Sequence, residues 1–220
     1  MLPRVLEPEV MDSLDEARDY DSMDHSQVNR SFVDDFFALD HGHDEVLDVG
    51  VGTARIPIDL CNRHKEIRVV GIDLAASMLQ IAEVNVELAN LRERILLDRQ
   101  DAKRLDFHDH RFDAVISNSI VHHIPEPLQV LAESIRVLKP GGLLFFRDLL
   151  RPKNNRLVEQ TVKTYAADED EHARQMFEDS LRAALSLEEI LDFVTSLGFA
   201  AETVQVTSDR HWTWSARREG

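Results

Sequence analysis

Apolar residues recur along the 220-residue chain in two rhythms, short unbroken runs and three-to-four-residue spacings, and the two alternate. Val28, Phe32 and Phe36, with Phe37 and Leu39 beside them, predict an amphipathic helix laid across one end of the domain. Beyond it the pattern predicts strands over 45–49, 68–73, 94–98 and 112–117, separated by helices over 53–63 and 77–91. In the second of these helices Ile81, Val84, Leu88 and Leu91 form the expected buried stripe. A helix over 126–139 carries Leu128, Leu131, Ile135 and Leu138 on one face; Pro140-Gly141-Gly142 should stop it, and 143–146 begins a fifth strand.

Between residues 151 and 185 the pattern turns polar, with Asp168-Glu169-Asp170-Glu171 in its middle, and predicts mobile helices of undefined length in an insertion placed where a lid would be. Ser186 and Glu189 then form a capping box for a helix with Leu187, Ile190, Leu191, Val194 and Leu197, closed by Gly198. Strands over 202–207 and 212–216, joined through Ser208-Asp209-Arg210, predict a terminal hairpin. Such strand-helix alternation calls for a parallel sheet with helices on both faces and right-handed crossovers. The length suits one domain, 45–220, preceded by a helical extension over 1–44.

Composition narrows the function. The formal charge is -16, and 13 Asp/Glu stand against 3 Lys/Arg through Glu45. A nucleic-acid partner needs clustered cations, so none is expected. The acidic surface either solubilises the protein or draws in a cationic substrate. One cysteine, Cys61, excludes a disulfide framework and a thiolate metal site and fits a reducing compartment. Neither a leader pattern nor a membrane-spanning run is visible, so the expected location is cytoplasmic, away from membranes.

Candidate chemistry starts at Asp48-Val49-Gly50-Val51-Gly52-Thr53-Ala54, where a strand runs through a small-residue turn into a helix. Backbone N–H groups and the helix dipole face whatever binds there. About 20 residues on, Asp73 ends the next strand, where a carboxylate accepts from ribose hydroxyls. The dinucleotide fingerprint would need glycine where Arg55 stands, which argues against a nicotinamide-dependent oxidoreductase.

The remaining pattern resembles motif I of the class I S-adenosylmethionine-dependent methyltransferases, with Ala54 in place of the usual third glycine. The resemblance runs from about residue 45 to 217 and takes in Gly71-Ile72-Asp73-Leu74 with Met78, Gln100-Asp101-Ala102, the 112–118 block and Arg136-Val137-Leu138-Lys139-Pro140-Gly141-Gly142. It implies a Rossmann-like seven-stranded sheet, mostly parallel with a C-terminal antiparallel hairpin, binding S-adenosylmethionine and releasing S-adenosylhomocysteine.

Residue by residue, it places Asp48, Gly50, Gly52 and Thr53 at the methionine end of the cofactor and Asp73 on the ribose. Leu74 and Met78 belong to the ribose block, Asp101 and Ala102 meet the adenine, and Asn118 sits beneath the sulfonium. Asp101 reads equally as an ordinary loop acid. Tyr20-Asp21-Ser22-Met23 resembles a segment that folds over the cofactor in quinone-biosynthesis methyltransferases; Tyr20 meets the carboxylate or sulfonium there, or is simply packed.

For catalysis the candidates are His122, His123 and Asp148. Methyl transfer is an in-line displacement, and an amine, phenol or acid acceptor must shed a proton; imidazole titrates in the useful range. Alternatively the two histidines serve packing and loop geometry. Arg147, with Arg151 beyond, would clamp an acidic substrate and Asp148 would act as base or orient one, unless Arg147 and Asp148 form a structural pair. His108, Asp109 and His110 lack metal-ligand spacing, and no metal is expected. The function implied is methylation of a small molecule, the alternative a non-catalytic domain that binds the cofactor and regulates or scaffolds a partner.

Overall fold

The computed structural model describes residues 2–7, 12–22, 26–39 and 45–219. In chain order the elements are α1 (Leu14–Ser22), α2 (Ser26–Leu39), β1 (Glu45–Val49), α3 (Arg55–Arg63), β2 (Arg68–Asp73), α4 (Ala76–Leu88), β3 (Ile95–Arg99) and β4 (Phe112–Asn118). A 3-10 turn (Val121–His123) leads to α5 (Pro127–Val137) and β5 (Leu138–Leu149). They are followed by α6 (Asn155–Tyr165), α7 (Glu171–Ala183), α8 (Leu187–Ser196), β6 (Val204–Val206) and β7 (His211–Arg217). The seven strands form one sheet in the order β3-β2-β1-β4-β5-β7-β6. β1 runs parallel to β2 and β4, β2 runs parallel to β3, and β6 and β7 are the expected antiparallel hairpin.

Two compact units share the chain: a larger one of residues 10–118, 129–146 and 216–220, and a smaller one of residues 1–9, 119–128 and 147–215. The segment taken as one extension is thus divided, residues 2–7 going with the smaller unit and α1 and α2 with the larger.

In the larger unit, strands buried on both faces explain the continuous apolar runs. Phe32 and Phe36 of α2 are fully buried, with ring centroids 4.8 and 6.0 Å from that of Phe145. Each such ring contributes roughly 1.5–3 kcal/mol of burial. Cys61 is buried, its thiol directed at the Ile67 carbonyl at 3.6 Å.

The α4 stripe differs from expectation. Met78, Leu79, Ala82 and Val86 face inward with Ser77, whereas Val84 and Leu88 are 54% and 76% exposed and Ile81 is half-buried; Leu91 is buried just past the helix. Small Ser77 and Ala82 admit close packing, so the buried face is rotated away from the bulkiest aliphatics. Leu128 is likewise exposed on α5. Pro140-Gly141-Gly142 does not end that helix either: α5 stops at Val137, and the three residues lie in β5. There Gly141 donates its N–H to the Arg218 carbonyl and Arg218 returns one to Gly142, so pairing with the C-terminal segment extends the strand.

In the smaller unit, Leu149, Val158, Leu181 and Ala184 form a core joined by Leu2, Val162 and Phe177. The polar insertion folds into two capped helices: Asn154 accepts from the Leu157 N–H and Asp170 from that of Ala173. The capping box of Ser186 and Glu189 opens α8 as expected. Residues 2–7 are tied in by Val5, which donates to the Arg182 carbonyl, and by Arg4, which donates to the carbonyls of Ala183, His122 and Ile124 at 2.7, 3.1 and 2.9 Å.

Candidate cofactor site and histidine cluster

The order β3-β2-β1-β4 reverses direction between β1 and β4, which makes the carboxyl ends of those strands the binding edge of an open α/β sheet. After β1 the chain turns through Gly50 (φ 78°), Gly52 (φ 52°) and Ala54 (φ 64°) before α3 begins. Two left-handed positions are glycine; the third is alanine, at a cost of about 1–2 kcal/mol that the surrounding packing must hold. The N–H groups of Gly50 and Val51 both donate to the Ile72 carbonyl, locking the turn onto β2.

Asp73 is the centre of this arrangement. Its Oδ2 accepts from Gly52 N–H at 2.9 Å and its Oδ1 from Ala75 N–H at 2.9 Å, so one carboxylate joins the turn after β1 to the start of α4. Burial raises the Asp73 carboxyl above its ordinary range, against the opposing pull of those backbone donors. Asp48, 2% exposed on β1, is pushed up to about 8 by burial and by the charge of Asp73.

Tyr20 of α1 lies over the turn: a Cβ on Gly52 would come within 3.9 Å of its ring. Burial, then Asp73, Asp21 and Asp48, raise its phenol. Tyr20 also packs with Ala17, Ala75, Met78 and Ile81. Met23, the last residue of its sequence block, lies outside the described residues.

Arg55, noted in the sequence only as a departure from a fingerprint, pairs in bidentate fashion with Asp21 at 3.0 and 2.7 Å. Asn85 of α4 donates both to Asp21 and to the Thr53 carbonyl, and Asp12 accepts from the Ser77 N–H. These contacts clasp α1 to α3 and α4. None was anticipated, because each joins residues 32 or more positions apart.

The other predicted residues lie on the same edge. Thr53 is buried and Leu74 half-buried. Arg99 of β3 is the register partner of Asp73, which places Asp101 two residues past it. Asp101 Oδ1 accepts from the Lys103 N–H at 2.9 Å and pairs with that lysine's Nζ at 3.2 Å, and Ala102 is buried. Asn118 ends β4 next to Ser117, whose hydroxyl donates to the Val49 carbonyl of β1, and Asn118 Oδ1 is buried with no protein hydrogen-bond partner.

In the smaller unit the geometry is different in kind. His122 Nδ1 and Asp148 Oδ1 are 2.6 Å apart, and both side chains are almost fully buried. Asp148 also accepts from the N–H groups of Val121, His122 and Leu149. With four donors around it the carboxylate orients the imidazole and has no lone pair left for substrate, which rejects it as a base in its own right. Burial opposes charge on His122, but the charge and hydrogen bond of Asp148, with Glu7, raise it overall. His123, its ring centroid 4.0 Å from that of His122, is pushed down to about 3 by burial and by its neighbour.

Arg147 is buried and donates to Thr213 Oγ1 at 2.9 Å. Arg151 is also buried, bound to the Ala184 carbonyl and Glu189, and so is no substrate clamp. Asp109 pairs with Arg136. Among the described residues, the group able to ligate a metal is instead Glu7, His122 and His123.

Residues 47–146 match a family described as a methyltransferase domain. The chain is 32% identical over 165 residues to a demethylmenaquinone methyltransferase of Porphyromonas gingivalis, covering 70% of this chain and 67% of that protein. The chain belongs to the class I S-adenosylmethionine-dependent methyltransferases. A demethylmenaquinone methyltransferase of Bacteroides fragilis matches at 31% identity over 108 residues, and there the match spans 49% of this chain and 44% of the relative. The plantazolicin methyltransferase BamL, solved with S-adenosylhomocysteine and a desmethyl substrate analogue, shares the fold at a TM-score of 0.66 and 18% identity over 87% of this chain and 70% of its own.

The cofactor fits this methyltransferase on two counts. The orphaned Asn118 Oδ1 offers an acceptor to a cationic or N–H-bearing group, and the glycine turn leaves an edge that side chains would fill.

Proposed function

We propose that the protein transfers the methyl group of S-adenosylmethionine to a small-molecule acceptor in the cytoplasm. The observation that carries this reading is the Gly52 N–H, which at the entrance to α3 already donates to Asp73 Oδ2 at 2.9 Å, beside a second buried carboxyl, Asp48. A pyrophosphate would need that N–H and would meet two acidic groups; a cofactor bearing a sulfonium and an ammonium favours the ionised form of Asp73 and of the otherwise neutral Asp48. Among the described residues no helix is long and apolar enough to cross a membrane, and the formal charge of -16 suits no nucleic-acid backbone.

In this reading the remaining lone pair of Asp73 takes a ribose hydroxyl, Asp101 takes the adenine amino group, and Ala102, Leu74 and Met78 form the apolar side of that pocket. Gly50, Gly52, Thr53, Asp48 and Asn118 hold the methionine end, with Tyr20 closing over it. The clasp of Arg55 on Asp21 keeps α1 in place as a cap. Residues 151–185, the variable part of such folds, supply acceptor selectivity as a lid.

Rate comes chiefly from holding methyl and acceptor in line and excluding water. For acceptors that must lose a proton, His122 is the base: Asp148 fixes its tautomer and makes it a stronger proton acceptor than free imidazole. His123 stays neutral beside it. The test is release of S-adenosylhomocysteine across a panel of phenols, alcohols, amines and carboxylic acids. Turnover with at least one class is expected, slowed in His122→Ala and His123→Ala at unchanged cofactor affinity. Wild-type turnover in His122→Ala overturns the base assignment, and cofactor binding without turnover on any class overturns the enzyme reading.

A further inference from the structure

Residues 2–7 belong to the smaller unit, and two of their side chains, Arg4 and Glu7, meet its 3-10 turn. The Arg4 guanidinium donates to carbonyls within and just after the 3-10 turn, those of His122 and Ile124, and three residues later Glu7 reaches the histidines of that turn. Glu7 Oε2 stands 3.5 Å from His123 Nδ1, while Oε1 is buried and has no hydrogen-bond partner. The Ser180 side chain also hydrogen-bonds this carboxylate, yet one of its buried oxygens is left unpaired, which a bound cation would satisfy.

Donor atoms of Glu7, His122 and His123 all lie within 4.8 Å of one another. Ligands held roughly 2.0–2.2 Å from one ion stand about 3–4 Å apart, so a modest side-chain movement closes the set. His122 Nδ1 is engaged with Asp148 at 2.6 Å, which leaves Nε2 as its ligating atom. A carboxylate on the far nitrogen of a ligating histidine is the usual device for orienting the ring and raising its basicity toward a metal.

From this arrangement we propose that Glu7, His122 and His123 form a binding site for a divalent transition-metal cation of the zinc type, with Asp148 as the orienting group. Two imidazoles and one carboxylate suit Zn²⁺ or Co²⁺, whereas Mg²⁺ and Ca²⁺ require oxygen-rich sets. Three protein ligands leave a fourth position for water or a substrate oxygen. The site stands independently of cofactor binding. An ion there occupies the His122 Nε2 lone pair, so the base role of His122 belongs to the metal-free protein.

The test uses the whole chain, stripped with chelator, without S-adenosylmethionine. Zn²⁺ is titrated calorimetrically, Co²⁺ by its visible absorption, and Mg²⁺ serves as competitor. One equivalent of Zn²⁺ at micromolar or tighter affinity is expected, with Mg²⁺ unable to displace Co²⁺. Glu7→Gln and His123→Ala should each weaken binding at least tenfold, while His108→Ala, on an exposed loop histidine, changes nothing. Circular dichroism establishes that each variant is folded. Absence of binding to the wild type, or full affinity in Glu7→Gln, overturns the proposal.

Discussion

Replacing Asp48 by Asn removes a carboxyl that the fold holds almost entirely out of water. Asp48 is 2% exposed and is pushed up to about 8 by burial and by Asp73. An unfolded chain ionises the same group near pH 4. Because the folded value is raised, the stability tied to this proton is fully present below about pH 4 and is lost as pH climbs through the folded value. One proton's difference gives a slope of about 1.4 kcal/mol per pH unit, so from pH 5 to pH 7.5 the ceiling is roughly 3 kcal/mol. Relaxation and water penetration reduce this, and we expect about 2 kcal/mol.

The absolute effect of Asp48→Asn includes whatever its amide gains or loses in hydrogen bonding, so the pH-dependent part of the difference carries the test. Urea denaturation followed by far-UV circular dichroism at half-unit steps, wild type against Asp48→Asn, should show the wild type losing those 2 kcal/mol relative to the variant. A difference constant within about 0.5 kcal/mol over that range would refute the inference of a neutral, buried Asp48.

Ala54→Gly relieves a left-handed alanine (φ 64°, ψ 23°) and should raise stability by up to about 1 kcal/mol in the same assay; equal or lower stability means that packing of its methyl outweighs the strain. Phe32→Ala, which empties the buried position facing Phe145 at 4.8 Å, should cost about 3–5 kcal/mol; a loss under 1 kcal/mol would show that α2 contributes little to the core. Asp73→Ala deletes an acceptor serving both Gly52 and Ala75, and should weaken S-adenosylhomocysteine binding by about 1.5–3 kcal/mol, read by calorimetry on the folded variant. Unchanged affinity would remove Asp73 from the ribose role.

The sheet was legible because its central strands are buried on both faces and so read as apolar runs, and the start of α8 because its capping box is a local pattern. Packing of α4 was misread for a physical reason: Ser77 and Ala82 carry burial without a hydropathy signal, while Val84 and Leu88 carry the signal without burial. Pro140-Gly141-Gly142 lies in β5 because the C-terminal segment, 76 residues away, pairs with it.

At the site, residue types at the strand ends were legible, but the reach of their side chains was not. Arg55 meets Asp21 across 34 positions, and Glu7 meets His123 where Arg4 and Val5 fasten residues 2–7 to the smaller unit. Asp148 reads as a candidate base from its position alone, but three backbone N–H groups and an imidazole surround it, contacts that no local pattern encodes.

The glycine turn and the Asp48–Asp73 carboxyl pair should select a nucleoside bearing an ammonium group over one bearing a pyrophosphate. Calorimetric titration of the wild-type protein with S-adenosylhomocysteine and, in parallel, with NAD tests it most directly. Micromolar, one-to-one binding of S-adenosylhomocysteine with no measurable heat from NAD is the predicted result. Binding of NAD with comparable affinity, or of neither, would contradict it.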